Sequence, residues 1–391
     1  MRQELIVAGK EFRDHLTSKR FLAIFGVLLL LAGVGMAMGM DQYNKSLEEY
    51  KKSQAEYQQQ PWFKEQVASL QKQIADAEAS GAPEEEIQAL RQQLDMLINP
   101  PMPSVLTVFG SLNTSMGIGG GYFSLILMLL SIAIGFDLIT REREEGTLKS
   151  LLSHPVYRDA VINGKLIGAL SILVVVMGSV FMITLAIMLF YGVVPTGNDL
   201  IRIAAYFVMA LLYSSVFFAI ATLFSTLAKN SAMSILLVLG VVIAMIIIPT
   251  FAPKIADAVM GPPPEIKPII LPEPTPMQPS ENSTPEPIPI SIPWDPAIEQ
   301  YYRNKQMIID SIDTISPMYS FDYKISPAIL YKQGGYAGPI YALKRVTPYV
   351  YHEPTIWDSL AYVWTSILAL VVELVAPLAA SYVMFMRADI R

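Results

Sequence analysis

The sequence predicts an all-α membrane protein with six transmembrane helices and two large external insertions, the first a helical hairpin and the second rich in proline. Three observations predict it. Of 391 residues, 53% are hydrophobic and only 16% charged, and the mean hydropathy is +0.42, a balance foreign to soluble chains. The apolar residues gather into unbroken blocks instead of recurring at helix or strand period. Six of these blocks approach or exceed the roughly 20 residues that a helix needs to cross a hydrocarbon core of about 30 Å.

The blocks are residues 21–39, 121–139, 166–191, 201–227, 232–251 and 357–386. The first is preceded by 20 residues and followed by a helical pattern, features of an uncleaved anchor and not of a cleaved signal peptide. Two long polar stretches, 40–120 and 252–356, separate the blocks. If residues 1–20 are cytoplasmic, the inside segments (1–20, 141–165, 229–231 and 387–391) hold 13 Lys or Arg in 53 positions, whereas the two insertions hold 14 in 186. The bias places both termini in the cytoplasm and both insertions outside, in a multi-pass protein of the plasma (cytoplasmic) membrane.

In the first insertion, Tyr43, Leu47, Tyr50 and Tyr57 follow an a/d spacing, Pro61 interrupts it, and Phe63, Val67, Leu70, Ile74 and Ala77 resume it. Ser80, Gly81 and Pro83 break the chain, and Ile87, Leu90, Leu94 and Leu97 restart the spacing. An antiparallel helical hairpin is expected, either a spacer standing on the membrane or a docking surface for an external partner protein or a neighbouring copy. The second insertion carries 14 prolines between Pro253 and Pro296, and is expected to open as an extended polyproline-like arm. A helix over 297–315 and a small membrane-proximal cap over the aromatic-rich 319–351 should follow. Three glycosylation sequons, at Asn44, Asn113 and Asn282, all lie outside by this topology.

Several function classes are excluded. With no Cys there is no disulfide framework, no thiol nucleophile and no Cys-ligated metal. The net charge is −6 and no long basic run occurs, so nucleic acid finds no footing. The three His residues, His15, His154 and His352, are far apart, and Met36, Met38 and Met40 do not share a helix face, so no metal site is assigned. Neither His-Glu-x-x-His nor Gly-x-Ser-x-Gly is present.

The most informative stretch joins the second and third blocks: Arg141-Glu142-Arg143-Glu144-Glu145-Gly146-Thr147-Leu148-Lys149-Ser150-Leu151-Leu152, then Pro155, Arg158 and Gly164-Lys165. Locally it reads as a short amphipathic helix on the inner face, stopped by Pro155. This run resembles the segment after the second span in permeases of the ABC-2 type (type V) ABC transporters, whose pattern is Glu-x-Glu-x-Gly-Thr-Leu, then Leu-Leu, Pro, Arg and Gly-Lys. Six spans with both ends inside match that family, residues 1–20 resemble its N-terminal elbow helix, and residues 385–391 its usual ending. The two long insertions depart from its compact members.

The resemblance implies that 140–165 contains a coupling helix, with Arg141, Glu142, Glu144, Glu145, Gly146, Thr147, Leu148, Leu151, Leu152 and Pro155 contacting a separate ATPase. It also implies a working unit of two such ATPases and two permease chains, alike or different, in membrane lipid. The chain lacks Gly-x-x-x-x-Gly-Lys-Ser/Thr. It is therefore not itself an enzyme and carries no cofactor, ATP and Mg being bound by the partner ATPase. Glu373 lies deep in the last block and reads either as an ion, proton or route-lining group or as a packing group hydrogen-bonded to a neighbouring helix. Asp137, near the inner end of the second block, is expected to pair with Arg141 four residues on. Three functions are in play: an exporter permease moving a lipid-like, peptide or small ionic substrate outward, an ATP-driven mechanical transmitter acting on an external partner without transport, and a passive membrane anchor. The coupling-helix run disfavours the last.

Overall fold

The computed structural model describes residues 2–100, 102–111, 121–147, 157–264, 296–331 and 354–387. Regular structure among them is entirely helical, and six helices are long and apolar enough to cross a membrane. Both described ends of the chain lie at one end of the bundle, here the terminal face. The insertions lie at the other, the insertion face.

Helix α1 (Arg2–Leu16) leads through a two-residue break into α2 (Lys19–Gln59). At about 1.5 Å per residue, α2 is roughly 60 Å long, twice the hydrocarbon thickness. The first span therefore does not end at residue 39 but continues as one helix into the insertion. Gln60 is extended because the following Pro61 disfavours helical backbone before it. Helix α3 (Pro61–Ser80) begins at that proline and ends at Gly81, whose φ of 69° is left-handed. Helix α4 (Glu84–Ile98) turns back. Phe63 and Ile87 are buried on the two helices, Arg91 pairs with Glu78 at 2.7 Å, and Gln54 of α2 donates to the Ile98 carbonyl at 2.6 Å.

A 3-10 turn (Val105–Ser111) precedes α5 (Tyr122–Gly135), which bends into the five-residue α6 (Thr140–Glu144). Helices α7 (Arg158–Phe190), α8 (Gly197–Leu227) and α9 (Ser231–Met260) follow. The expected arm opening at Pro253 is corrected here, since α9 runs through Pro249 and Pro253 to Met260. A proline costs a helix one donor without ending it where the flanking turns remain bonded. Helix α10 (Pro296–Asp313) packs against the far end of α9, with Lys305 paired to Asp257 and the Tyr301 hydroxyl donating to Gly261 O at 2.6 Å. The last block is two helices, α11 (Ile356–Tyr362) and α12 (Trp364–Arg387), parted at Val363.

Between α10 and α11 the chain makes three short helical pieces: Pro317–Tyr319, the π-turn Ser320–Ile325 and Ser326–Leu330. The part of the expected cap that is described turns inward as a wedge. Fully buried Phe321 stacks on Tyr213 with ring centroids 4.9 Å apart and meets Tyr206 at 5.6 Å.

Helices α5 and α8 form the centre, with 72% and 67% of their most apolar stretches buried, against 17% for α9 and 11% for α12. Their close approach needs Gly135, since a Cβ there would sit 2.8 Å from the Ala221 Cβ. Helices α9 and α12 keep most of their apolar surface uncovered, as lipid or another chain requires.

Candidate functional site at the terminal face

The site begins with two glycines. Gly164 and Gly168, one turn apart on α7, let α1 lie directly on it: a Cβ at Gly164 would meet the Val7 Cβ at 2.6 Å, and one at Gly168 the Ala8 carbonyl at 2.7 Å. That contact seals Lys165, whose side chain is 1% exposed. Its ammonium has three donors and finds three acceptors: Glu11 of α1 at 2.8 Å, Glu142 of α6 at 2.9 Å and the Leu138 carbonyl at 3.2 Å. Lys10 lies 3.5 Å from Glu142 and 4.0 Å from Glu11, offsetting the second negative charge from the solvent side. Buried charge is tolerated only with pairing of this kind.

Helix α6 is a joint. Arg143 donates to the Ala228 carbonyl at 2.7 Å and to that of Thr226 at 3.3 Å, covering the C-terminal end of α8, where cations are favoured. Glu144 accepts from the Ser231 N–H at 2.9 Å and hydroxyl at 2.7 Å, capping the N-terminus of α9. Ser225 of α8 receives the Ile139 and Thr140 N–H groups at 2.9 and 3.2 Å, which satisfies the backbone at the α5–α6 bend. Five residues thus tie together α1, α7, α8 and α9. A cavity of about 1020 Å³ lined by Lys10, Glu11, Arg20, Asp137 and Glu144 opens beside them. His15, half-buried on its wall, has its pKa lowered by burial, with Glu11 opposing the shift.

Several sequence expectations change. The stretch 141–152 is not one helix: α6 stops at Glu144, and Gly146 follows with a φ of 71°, a conformation that strains other residues. Glu142 faces inward to Lys165, while Arg141 and Glu145 form an exposed pair at 3.1 Å. Gly146 and Thr147 are exposed beside them. Asp137 pairs with Arg20 at the start of α2 at 3.3 Å, not with Arg141, because Arg141 is engaged by its own i+4 carboxylate. Glu373 is far from this cluster in α12, and its Oε2 has no hydrogen-bond partner. Leu148, Leu151, Leu152, Pro155, Asn113 and Asn282 lie outside the described residues, and Asn44 lies on α2.

Sequence reading missed Glu11, Lys165 and Ser231. The signal available for Lys165 was the spacing Gly164-x-x-x-Gly168, which marks close helix packing in membranes. No cluster of three or more His, Asp or Glu able to hold a metal occurs among the described residues. The network's chemistry is mechanical and electrostatic.

A helical bundle with six helices long and apolar enough to cross a membrane, and a charged joint at one face, has the build of a polytopic membrane protein. A family model described as "ABC-2 family transporter protein" matches residues 5–390. The chain belongs to the ABC-2 transporter family, as a membrane protein of that family. No curated protein sequence matches it.

Proposed function

We propose that the chain is the permease subunit of an ATP-driven exporter, paired with a second permease chain and served by two copies of a separate ATPase subunit. Its cargo is lipid-like, peptide or small and ionic, moved outward, with the terminal face cytoplasmic and both insertions external. The observation that carries this reading is α6. A helix of five residues joined by buried ion pairs to α1 and α7 and by caps to α8 and α9 passes a push on the adjoining exposed turn, Glu145 to Thr147, into four helices at once. The uncovered faces of α9 and α12 support a second permease chain as neighbour.

The double variant Arg141→Glu/Glu145→Lys inverts that exposed surface while keeping the i,i+4 pair. Purified from native membranes, the unsubstituted chain should bring down an ATP-binding-cassette protein and the variant should not. Equal recovery together with equal ATP turnover would remove the coupling role. Orientation is tested separately. In a chain without Cys, a thiol introduced at Gln58 should react with an impermeant reagent on intact cells and one at Ser150 should not; the reverse pattern inverts the topology.

A second reading is favoured by one feature. Because α2 is continuous from the terminal face to the hairpin, it can act as a rod that moves an external partner with no cargo crossing. ATP turnover that displaces the hairpin in reconstituted vesicles without any flux would select it.

A further inference from the structure

Asp322 sits on the π-turn of the wedge, at the end of the bundle opposite α6. Its Oδ2 accepts from the Gly121 N–H at 3.1 Å and from the Ser124 hydroxyl at 2.6 Å, both at the start of α5. Its Oδ1 is buried and has no hydrogen-bond partner. The Ser124 oxygen also lies 2.9 Å from the Gly121 carbonyl. A hydroxyl has one hydrogen, so it serves one of these two acceptors at a time. With Asp322 ionised, Ser124 donates to Oδ2. With a proton on Oδ2, the acid donates to the Ser124 oxygen and the Ser124 hydrogen turns to the Gly121 carbonyl. Both protonation states are hydrogen-bonded without any atom moving far.

Among the described residues, no cation is directed at this carboxyl from the elements around it. From α8 come Tyr206 and Tyr213, the latter donating to the Ser124 carbonyl at 3.1 Å, and Arg202, whose guanidinium is directed at the Ile329 and Pro354 carbonyls and the Ser359 hydroxyl. On the wedge, Lys324 pairs with Asp310 of α10 at 2.8 Å, Tyr319 interacts with Asp313, and Tyr323 stacks on Tyr319. Ser326–Leu330 has no ionisable side chain, and α12 offers Glu373 and, further along, Tyr382 and the distant Arg387. Among the described residues, an ionised Asp322 therefore meets desolvation with the Ser124 and Gly121 dipoles to offset it.

We propose that Asp322 and Ser124 form a proton-binding site that latches the 317–330 wedge between α5 and α8, held when the proton is bound and loosened when it leaves. Burial raises the carboxyl from its ordinary 3.8 to about 7. A pKa raised in the docked state means that docking is fully supported below the undocked value and weakens as pH rises towards the docked one. The docked-to-undocked ratio should fall by up to about tenfold per pH unit between about 4 and 7 and level off above. The inference holds whatever the chain transports.

The test uses the purified full chain with one thiol at fully buried Ala328 of the wedge, its labelling rate divided by that of a thiol at exposed Gln58 to cancel the pH dependence of the reagent. The ratio should rise from pH 5 and level off near pH 7. Asp322→Asn keeps a donor and an acceptor but cannot titrate, so its ratio should be low and flat. Ser124→Ala removes the hydroxyl that favours the ionised form, so the levelling point should move to higher pH. A flat ratio in the parent, an undiminished rise in Asp322→Asn, or an unmoved levelling point in Ser124→Ala would each overturn the latch, the last even if Asp322→Asn fails to fold.

Discussion

Replacing Lys165 by Met isolates the element on which the terminal-face joint depends. Met fills most of the volume of the Lys stem, so packing changes little and the loss is the ammonium. Glu11 and Glu142 then remain with their Oε1 atoms about where they were, each under 3 Å from the former nitrogen and so less than about 6 Å apart. Two like charges at that distance repel by about 3 kcal/mol at an effective dielectric of 20. Removing one partner of a buried pair costs about 3–5 kcal/mol overall. Lys10 offsets part of this, but at 53% exposure it is screened by water, so the lower end of that range is expected. Equilibrium unfolding of the purified protein in mixed micelles should show a loss of about 3 kcal/mol. The triple variant Lys165→Met/Glu11→Gln/Glu142→Gln, which strands no charge, should recover most of it. A single-variant loss under about 1 kcal/mol, or a triple variant worse than the single, would show that the ion pairs do not hold α1 and α6 to α7.

Gly168→Val should lift α1 from α7 at a cost of about 1–3 kcal/mol of overpacking and speed proteolysis of the N-terminal helix; Gly178→Val on the same helix, where nothing lies within 4 Å of a Cβ, should do neither. Glu144→Ala should lower stability slightly through the lost hydrogen bonds to Ser231 at the start of α9, read by unfolding, and Glu144→Asp should restore part of it. His15 has a pKa lowered by burial, so the unfolded chain binds its proton more readily than the folded one. Its contribution is complete above the ordinary 6.5 and is lost as pH falls through the lowered value. Unfolding measured from pH 7 to 5 should show that slope, and His15→Gln should flatten it.

Membrane class and span number were legible because apolar block length is a one-dimensional property, set by the thickness of the bilayer and not by any contact. The seam of the hairpin was legible for the same reason, since Val67, Leu70, Ile74 and Ala77 keep the a/d spacing and are more covered than the residues between them. Span ends were less so. Hydropathy falls at Met40, yet α2 continues for nineteen residues past it, because helix propagation needs only backbone bonding and compatible side chains, which polar Gln, Glu and Lys supply. Proline composition misled at Pro253 because one proline removes a single donor and α9 continues past it to Met260. The site was legible as a location but not as a set of partners. Glu142 and Glu144 are two residues apart in a charged run, and nothing in that run says that one meets Lys165 and the other caps Ser231. Those assignments come from where α7 and α9 begin in space.

The two ends of the bundle are built on opposite electrostatic principles, and the central helices α5 and α8 join them. At the terminal face, Lys165 satisfies both carboxylates at once, so the helices it joins gain by moving together and separate only at the cost of a stranded charge. At the insertion face, Asp322 meets hydroxyl and amide dipoles and, among the described residues, no cation, so its hold on α5 depends on the proton it carries. The same α5 whose start receives Asp322 ends at the bend where Ser225 takes its N–H groups. A displacement of α6 that turned α5 by even a fraction of an ångström per turn would change the geometry of the Ser124 hydroxyl, and a proton lost at Asp322 would change in return the strain carried to α6. Reciprocity of this kind is required of two sites that bias one helix, and it makes the joint variants and the Asp322 variants informative about each other: Asp322→Asn should alter the pH dependence of any coupling measured at Glu145, whereas independent ends would leave it unchanged.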